Sequence, residues 1–283
     1  MVPGGGKNDD IDWDGFDPAT YYAQNYRSLR DDDRHILECV RDHFADAAEK
    51  GRLPSGAVGI DIGTGPNLYP ALTMLPFCAN VTLYERAQSN IDWLSKQQKA
   101  VWPTWDDGWD KFWQVLLDRE PYQRIAEPWR VLADRATIVR GSVFDLPTEP
   151  RYDIGTMFFV AESITNDEGE FRSAIDHLLR VLKPGAPFAI ACMEHSAGYK
   201  VGTHQFPAID IDALNVADCL AYRVVSKPIA HIGHGNNPIR DGYTGMLIAL
   251  GRVKEEAEAL NEVAAATADP GRVEGRRKVF AAS

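Results

Sequence analysis

The chain has 283 residues, 45% apolar, 25% charged and 10% aromatic, enough for one large α/β domain or two small ones; this balance argues against a disordered or fibrous protein. A formal charge of -11, with Arg276-Arg277-Lys278 as the longest basic run, argues against nucleic acid as a partner, because a phosphate backbone is bound by clustered cations. A small substrate, with a cation among the options, suits that charge better.

Met1 to Asp10 is Gly-rich and polar with no apolar segment, and no 18-residue apolar run occurs, so a cytoplasmic protein without a membrane span is expected. Four scattered cysteines, Cys39, Cys78, Cys192 and Cys219, predict free thiols in a reducing compartment. Residues 1 to 12 read as a disordered leader of little function. From Pro18 to about Lys50 the apolar residues Tyr22, Tyr26, Leu29, Ile36, Leu37, Val40 and Phe44 recur at helical spacing, and Asp31 to Asp33 offer caps, which predicts two helices.

Short apolar runs then alternate with helical stretches. Strands are expected over Val58 to Ile62, Val81 to Tyr84, Ala136 to Val139, Asp153 to Val160, Phe188 to Met193, near Ala221 to Ser226, and over Met246 to Leu250. Helices are expected over Ala87 to Lys99 and Glu170 to Leu182. That alternation predicts an α/β fold of the Rossmann type, with a mostly parallel sheet covered on both faces. Five tryptophans between residues 102 and 130 mark an insertion, with a helix over Asp110 to Glu120, and the residues after Val253 predict an appended polar helix and tail.

The stretch Asp61-Ile62-Gly63-Thr64-Gly65-Pro66 follows the first strand and opens a helix, the topology that puts a ligand at the strand's carboxyl end. Gly63 and Gly65 allow torsions and a close approach that a side chain forbids. The third glycine of the dinucleotide fingerprint is missing, which argues against a pyrophosphate there. Glu85 ends the next strand, 24 positions after Asp61, where a carboxylate can accept hydrogen bonds from both hydroxyls of a ribose. After the third strand, Ser142, Val143 and Asp145 offer a polar contact, an apolar face and a loop brace beside an adenine.

These motifs resemble the class I S-adenosylmethionine-dependent methyltransferases, and more narrowly the nicotinamide, phenylethanolamine and indolethylamine N-methyltransferases, from about Phe16 to Val253. Phe16-Asp17-Pro18-Ala19-Thr20-Tyr21 matches that branch's F-x-P-x-x-Y pattern. Asp61 to Pro66 with Tyr69 matches its D-I-G-S-G-P loop and following tyrosine, with one Ser-to-Thr change, and Glu85 with Asn90 matches its acidic strand end. The chain departs from the pattern at Glu85, where Asp is usual, at Ser142, where Asp is usual, and at Cys192, where the nicotinamide enzyme has a carboxylate that Glu194 could replace from two residues on.

The resemblance implies a seven-stranded, mostly parallel sheet with an N-terminal helical cap, forming one domain over residues 13 to 253. It implies S-adenosylmethionine as cofactor and S-adenosylhomocysteine as product. The cofactor would span Asp61, Gly63, Thr64, Gly65 and Pro66, with Tyr26 and Tyr69 near its methionine portion, Glu85 and Asn90 on the ribose, and Ser142 with Val143 at the adenine. The acceptor would lie beneath Tyr21 and Tyr199, whose ring faces can hold a flat or cationic molecule.

Glu162, Glu194, Asp210 and Asp241 are candidate carboxylates for anchoring an ammonium or taking its proton, and Glu194 and Asp241 are put forward as catalytic. Arg27, Arg30 and Arg240 could hold a carboxylate-bearing acceptor if they point inward. His231 and His234 lack a third ligand, so no metal is expected; a loop over His231 to Pro238 covering the acceptor is expected instead. The leading expectation is methylation of a nitrogen, or less readily a sulfur, of a small-molecule acceptor by a monomer or homodimer. Two alternatives stay open: an enzyme that cleaves the cofactor to methylthioadenosine, and a cofactor-binding module without turnover.

Overall fold

The computed structural model describes residues 6–234, 239–240, 242–255 and 258. Two short 3-10 turns, Asn8–Asp10 and Trp13–Gly15, precede α1 (Pro18–Asn25) and α2 (Asp31–Glu49). The first of these helices starts where the Asp17 carboxylate accepts the N–H groups of Ala19 and Thr20, both at 3.1 Å, and Pro18 takes a first-turn position that needs no N–H donor. The second opens with three acids at its positive end and buries Ile36, Leu37, Val40 and Phe44 along one stripe.

Strand and helix then alternate: β1 (Ala57–Ile62), α3 (Tyr69–Met74), β2 (Cys78–Glu85) and α4 (Gln88–Lys99). The Trp-rich stretch supplies a π turn (Trp105–Trp109), α5 (Asp110–Leu116), α6 (Glu120–Gln123) and α7 (Pro128–Arg135). After it come β3 (Ala136–Arg140), β4 (Ile154–Phe158), α8 (Glu168–Val181), β5 (Pro187–Glu194), a hairpin of β6 (Tyr199–Val201) and β7 (His204–Phe206), α9 (Ala213–Leu220), β8 (Val224–Ser226), β9 (Ala230–Gly233) and β10 (Gly245–Val253).

The main sheet runs β3-β2-β1-β4-β5-β10-β8, parallel except at its last members, so strand order reverses between β1 and β4. The expected seventh position is shared by two short strands: β8 pairs with Gly251 to Val253, and β9 with Gly245 to Ile248. His231 to Gly233 is therefore strand rather than covering loop, because β10 offers its N-terminal half as a pairing edge; residues 235–238 lie outside those described. Most of β1, β4 and β5 is buried, since helices cover both faces. Residues of α2, α3 and α5 form the core on one face, and those of α8 and α9 the core on the other.

The inserted helix ends at Leu116, short of the expected Glu120, and continues a π turn at its start. Gly108 explains that turn: a Cβ there would come within 2.3 Å of the Tyr22 hydroxyl and 2.7 Å of the Tyr26 carbonyl, so its absence seats the insertion against α1. Trp102, Trp105, Trp109 and Trp113 are buried core. Among the described residues no helix is long and apolar enough to cross a membrane. The appended segment after Val253 lies almost wholly outside the described residues.

Asp33, in the first turn of α2, is buried and accepts the Tyr69 hydroxyl at 3.1 Å. Burial, then the neighbouring Asp32 charge, pushes its carboxyl from the usual 3.8 up to about 7. The folded chain therefore holds this proton where the unfolded chain has lost it, so Asp33 costs stability as pH rises from about 4 to about 7. The neutral, isosteric Asp33→Asn keeps an acceptor for Tyr69 and is expected to raise the thermal midpoint near pH 8, with no gain near pH 4, each 1 kcal/mol moving it by about 2–4 °C. Melting curves at the two pH values check this; a lower midpoint at the higher pH would contradict it.

Candidate active site

Where the strand order reverses, the carboxyl ends of β1, β2 and β4 leave a cleft that opens to solvent. The loop after β1 forms its floor. Gly63 (φ 65°) donates its N–H to the Tyr84 carbonyl at 2.7 Å, and a Cβ on it would come within 2.5 Å of Val160. Gly65 (φ 53°) shares the left-handed torsion, and a Cβ on it would make only ordinary contacts, the nearest with Asn90 at 3.7 Å, so its backbone conformation is what calls for glycine. Thr64, Pro66 and Asn67 complete this wall.

Glu85 closes β2 and ties the loop down. One carboxylate oxygen accepts the Gly65 N–H at 2.7 Å; the other accepts those of Arg86 and Ala87, each at 2.8 Å. Burial pushes this carboxyl up, and the three N–H donors and Asn90 counter the shift by favouring the anion. With Asn90 these donors occupy the roughly four positions a carboxylate offers, so a ligand hydroxyl binds Glu85 by sharing or displacing one of them.

Two buried polar atoms at this end lack partners among the described residues: Asp61 Oδ2 and Asn90 Oδ1. Register explains the first, because Asp61 pairs across the reversal with Thr156, whose hydroxyl donates to Oδ1 at 2.7 Å and leaves Oδ2 orphaned. Burial raises the Asp61 carboxyl to about 7, offset in part by Thr156. Of the two, Asn90 lines the cleft, and its orphaned acceptor calls for a donor on a ligand, such as a ribose hydroxyl or an ammonium; Asp61 stands behind the loop and is not part of the lining. Ser142, Val143, Tyr84 and Ile62 line the adjoining part of the same cleft.

The leader departs from expectation. Asn8 is 2% exposed, its N–H donates to Glu170 at 2.8 Å, and its side-chain oxygen accepts the Trp13 indole N–H at 2.8 Å. Asn8, Trp13 and Phe16 line the cleft, so residues 6 to 12 are ordered because they have that surface and α8 to pack on. Trp13 and Phe16, two large aromatics beside a polar stretch, were the signal available in sequence; Asn8 gave none.

At the other end of the cleft stand Tyr21, Tyr26 and Tyr199. Tyr21 meets Tyr26 and Tyr199 edge-on, with ring centroids 5.9 and 6.2 Å away. Phe206 stacks on Tyr199 at 5.3 Å and the Arg240 guanidinium sits 4.1 Å over its ring. Arg240 also donates to Ser163 Oγ at 3.0 Å and reaches the Tyr21 hydroxyl at 3.5 Å. Ser163 in turn donates to Glu162, which also accepts the Met193 N–H at 3.1 Å.

Glu162 is fully buried, and burial pushes its carboxyl up while Arg240 pulls it down. Its Oε2 has no hydrogen-bond partner among the described residues; only the Cys192 thiol, a weak donor, is alongside. Phe159 holds φ 59° on the wall beside this end, a left-handed strain that an aromatic residue adopts only when its surroundings impose it.

Several expected residues stand elsewhere. Tyr69 is buried behind the wall, because α3 turns its hydroxyl to Asp33 and its ring onto Phe112. Glu194 points to Thr244 (2.6 Å) and His231 (3.0 Å), outside the cleft, since its strand position faces β10 and β9. Asp210 is exposed on His195, and Asp241 lies outside the described residues. Arg27 turns to Asp107 and Arg30 to Asp32, which leaves Arg240 as the inward-pointing member of those three.

The NNMT/PNMT/TEMT family model matches residues 8–227. Phenylethanolamine N-methyltransferase from Homo sapiens is 25% identical over 227 residues, spanning 72% of this chain and 76% of the human one; the Sus scrofa protein is 23% identical, spanning 73% and 76%. In fold, the chain is similar to an S-adenosylmethionine-dependent methyltransferase from Methanosarcina mazei, with a TM-score of 0.50 at 13% identity over 74% of this chain and 98% of that one. Cleavage to methylthioadenosine and binding without turnover find no support in these relationships. With its glycine loop at the sheet reversal and the matched segment covering both ends of the cleft, the chain belongs to the NNMT/PNMT/TEMT family and is an S-adenosylmethionine-dependent methyltransferase.

Proposed function

We propose that the protein methylates a nitrogen of a small amine or nitrogen heterocycle, and that the two ends of the cleft hold the two reactants. Asp61, Gly63, Thr64, Gly65 and Pro66 are assigned to the amino-acid portion of the cofactor, with Tyr26 against it. Glu85 and Asn90 are assigned to the ribose, and Ser142 with Val143 to the adenine. When bound, S-adenosylmethionine supplies an electrophilic methyl carbon on a sulfonium. The acceptor is assigned to the Tyr21 end. The observation that carries this reading is the continuity of one cleft from Glu85 and Asn90 to the aromatic end at Tyr21, Tyr26 and Tyr199.

The residues act chiefly by placement. Forming the N–C bond while the C–S pair returns to sulfur requires nitrogen, carbon and sulfur in line, and holding two reactants so is worth roughly 7–11 kcal/mol. Phe16, Trp13, Phe158 and Phe159 line the cleft with apolar surface that excludes water as charge disperses. An acceptor arriving as an ammonium must first lose a proton to free its lone pair. Glu162, buried with one unpartnered oxygen and joined to the Tyr21 end through Ser163 and Arg240, is the group assigned to take it.

Incubation with S-adenosylmethionine and a panel of amines and pyridines is expected to give S-adenosylhomocysteine and a methylated acceptor in equal amounts. Methylthioadenosine in place of S-adenosylhomocysteine would contradict the reading.

A further inference from the structure

The geometry points to an acceptor that carries a carboxylate as well as its amine, with Arg240 reading the carboxylate; the inference rests on the methyl-transfer reading of the same cleft. A cationic acceptor seated on Tyr199 would meet a cation already there, because Arg240 sits 4.1 Å over that ring while Phe206 stacks on it. The acceptor end therefore has a positive charge directly behind its lining tyrosines, Tyr21 and Tyr199, where an aromatic box for an ammonium would have none.

Arg240 is half-buried and among the described residues has no ion-pair partner: its contacts are the Ser163 hydroxyl, the Tyr21 hydroxyl at a long 3.5 Å, and the Tyr199 ring. A guanidinium has five N–H donors in a fixed fork, and at most two are engaged here. A half-buried charge so placed is stabilised by a bidentate carboxylate. Structural pairing with Glu162 is the simplest competing account. Yet Ser163 stands between the two, accepting from Arg240 and donating to Glu162, and Glu162 keeps one oxygen without a partner. A cation and an anion held apart by one hydroxyl match a molecule that carries an ammonium and a carboxylate a few bonds apart.

Matched acceptors test this: phenethylamine against phenylalanine, histamine against histidine, and pyridine-3-carboxamide against pyridine-3-carboxylate, with S-adenosylhomocysteine formation as the rate and calorimetry in the presence of S-adenosylhomocysteine as the binding readout. In at least one pair the carboxylate-bearing member is expected to have the higher kcat/KM, by about tenfold or more. Arg240→Gln is expected to erase that ratio mainly through KM and to remove the calorimetric signal of the carboxylate member, and Arg240→Lys to restore part of it, since Lys keeps the charge without the fork. Equal or reversed preference in every pair, or a ratio that survives Arg240→Gln, would overturn the assignment while leaving methyl transfer intact. Absence of S-adenosylhomocysteine with every compound would overturn both.

Discussion

Glu85→Ala is expected to weaken binding of S-adenosylhomocysteine by roughly 10- to 100-fold. One ribose hydroxyl sharing this carboxylate contributes about 1.5–3 kcal/mol, and 1.4 kcal/mol is tenfold in affinity. The same carboxylate caps the N–H groups of Gly65, Arg86 and Ala87, so its removal also frees the glycine loop from the end of β2. Glu85→Gln keeps the shape and one acceptor and is expected to fall between wild type and alanine. Calorimetric titration reads the effect, with far-ultraviolet circular dichroism to show that the sheet is intact. An alanine variant folded and binding within about threefold of wild type would remove Glu85 from the site.

Glu162→Gln is expected to lower kcat/KM by roughly 100-fold or more on any acceptor that arrives as an ammonium, the usual scale for removing a positioned proton acceptor. The sign with pH follows from burial. The Glu162 carboxyl is held above the ordinary range, so activity should rise with pH as it ionises, and this acid limb should disappear in the variant. Cofactor affinity should change little, because Glu162 bonds to Ser163 and Met193 and to no part of the glycine loop. A variant that retains the acid limb would assign the proton to another group. A neutral pyridine acceptor, which has no proton to lose, should be affected far less.

Much of the fold was legible in sequence because its signals are local. Short apolar runs bounded by turn residues gave the parallel strands, since strands buried on both faces need no alternation. Gly63 and Gly65 followed from position alone, directly after the first strand, and Glu85 from its place at the end of the second. The acceptor end was less legible because contacts across the chain create it. Arg240 reaches Tyr21, 219 positions away, and Asn8 is fixed by Glu170, 162 positions away. A polar, Gly-rich start reads as a disordered leader until α8 and the cleft supply something to bury it.

Residues on regular elements were misjudged for a different reason. Tyr69 follows the loop by three positions, but its place on α3 turns it toward Asp33. Glu194 sits two positions beyond Cys192 on the same strand, yet pairing with β10 sends it to Thr244 and His231. Glu162, on the loop after β4, has no local pattern to separate it from the other acids, and only its burial singles it out.

The central claim is transfer of a methyl group to nitrogen in this cleft. The most direct measurement supplies S-adenosylmethionine labelled with a trideuteromethyl group, isolates the acceptor and locates the label by nuclear magnetic resonance. The account predicts one trideuteromethyl group on a nitrogen, formed in step with S-adenosylhomocysteine and lost in Glu85→Ala. A label on sulfur or oxygen, or an intact sulfonium with every acceptor, would contradict it.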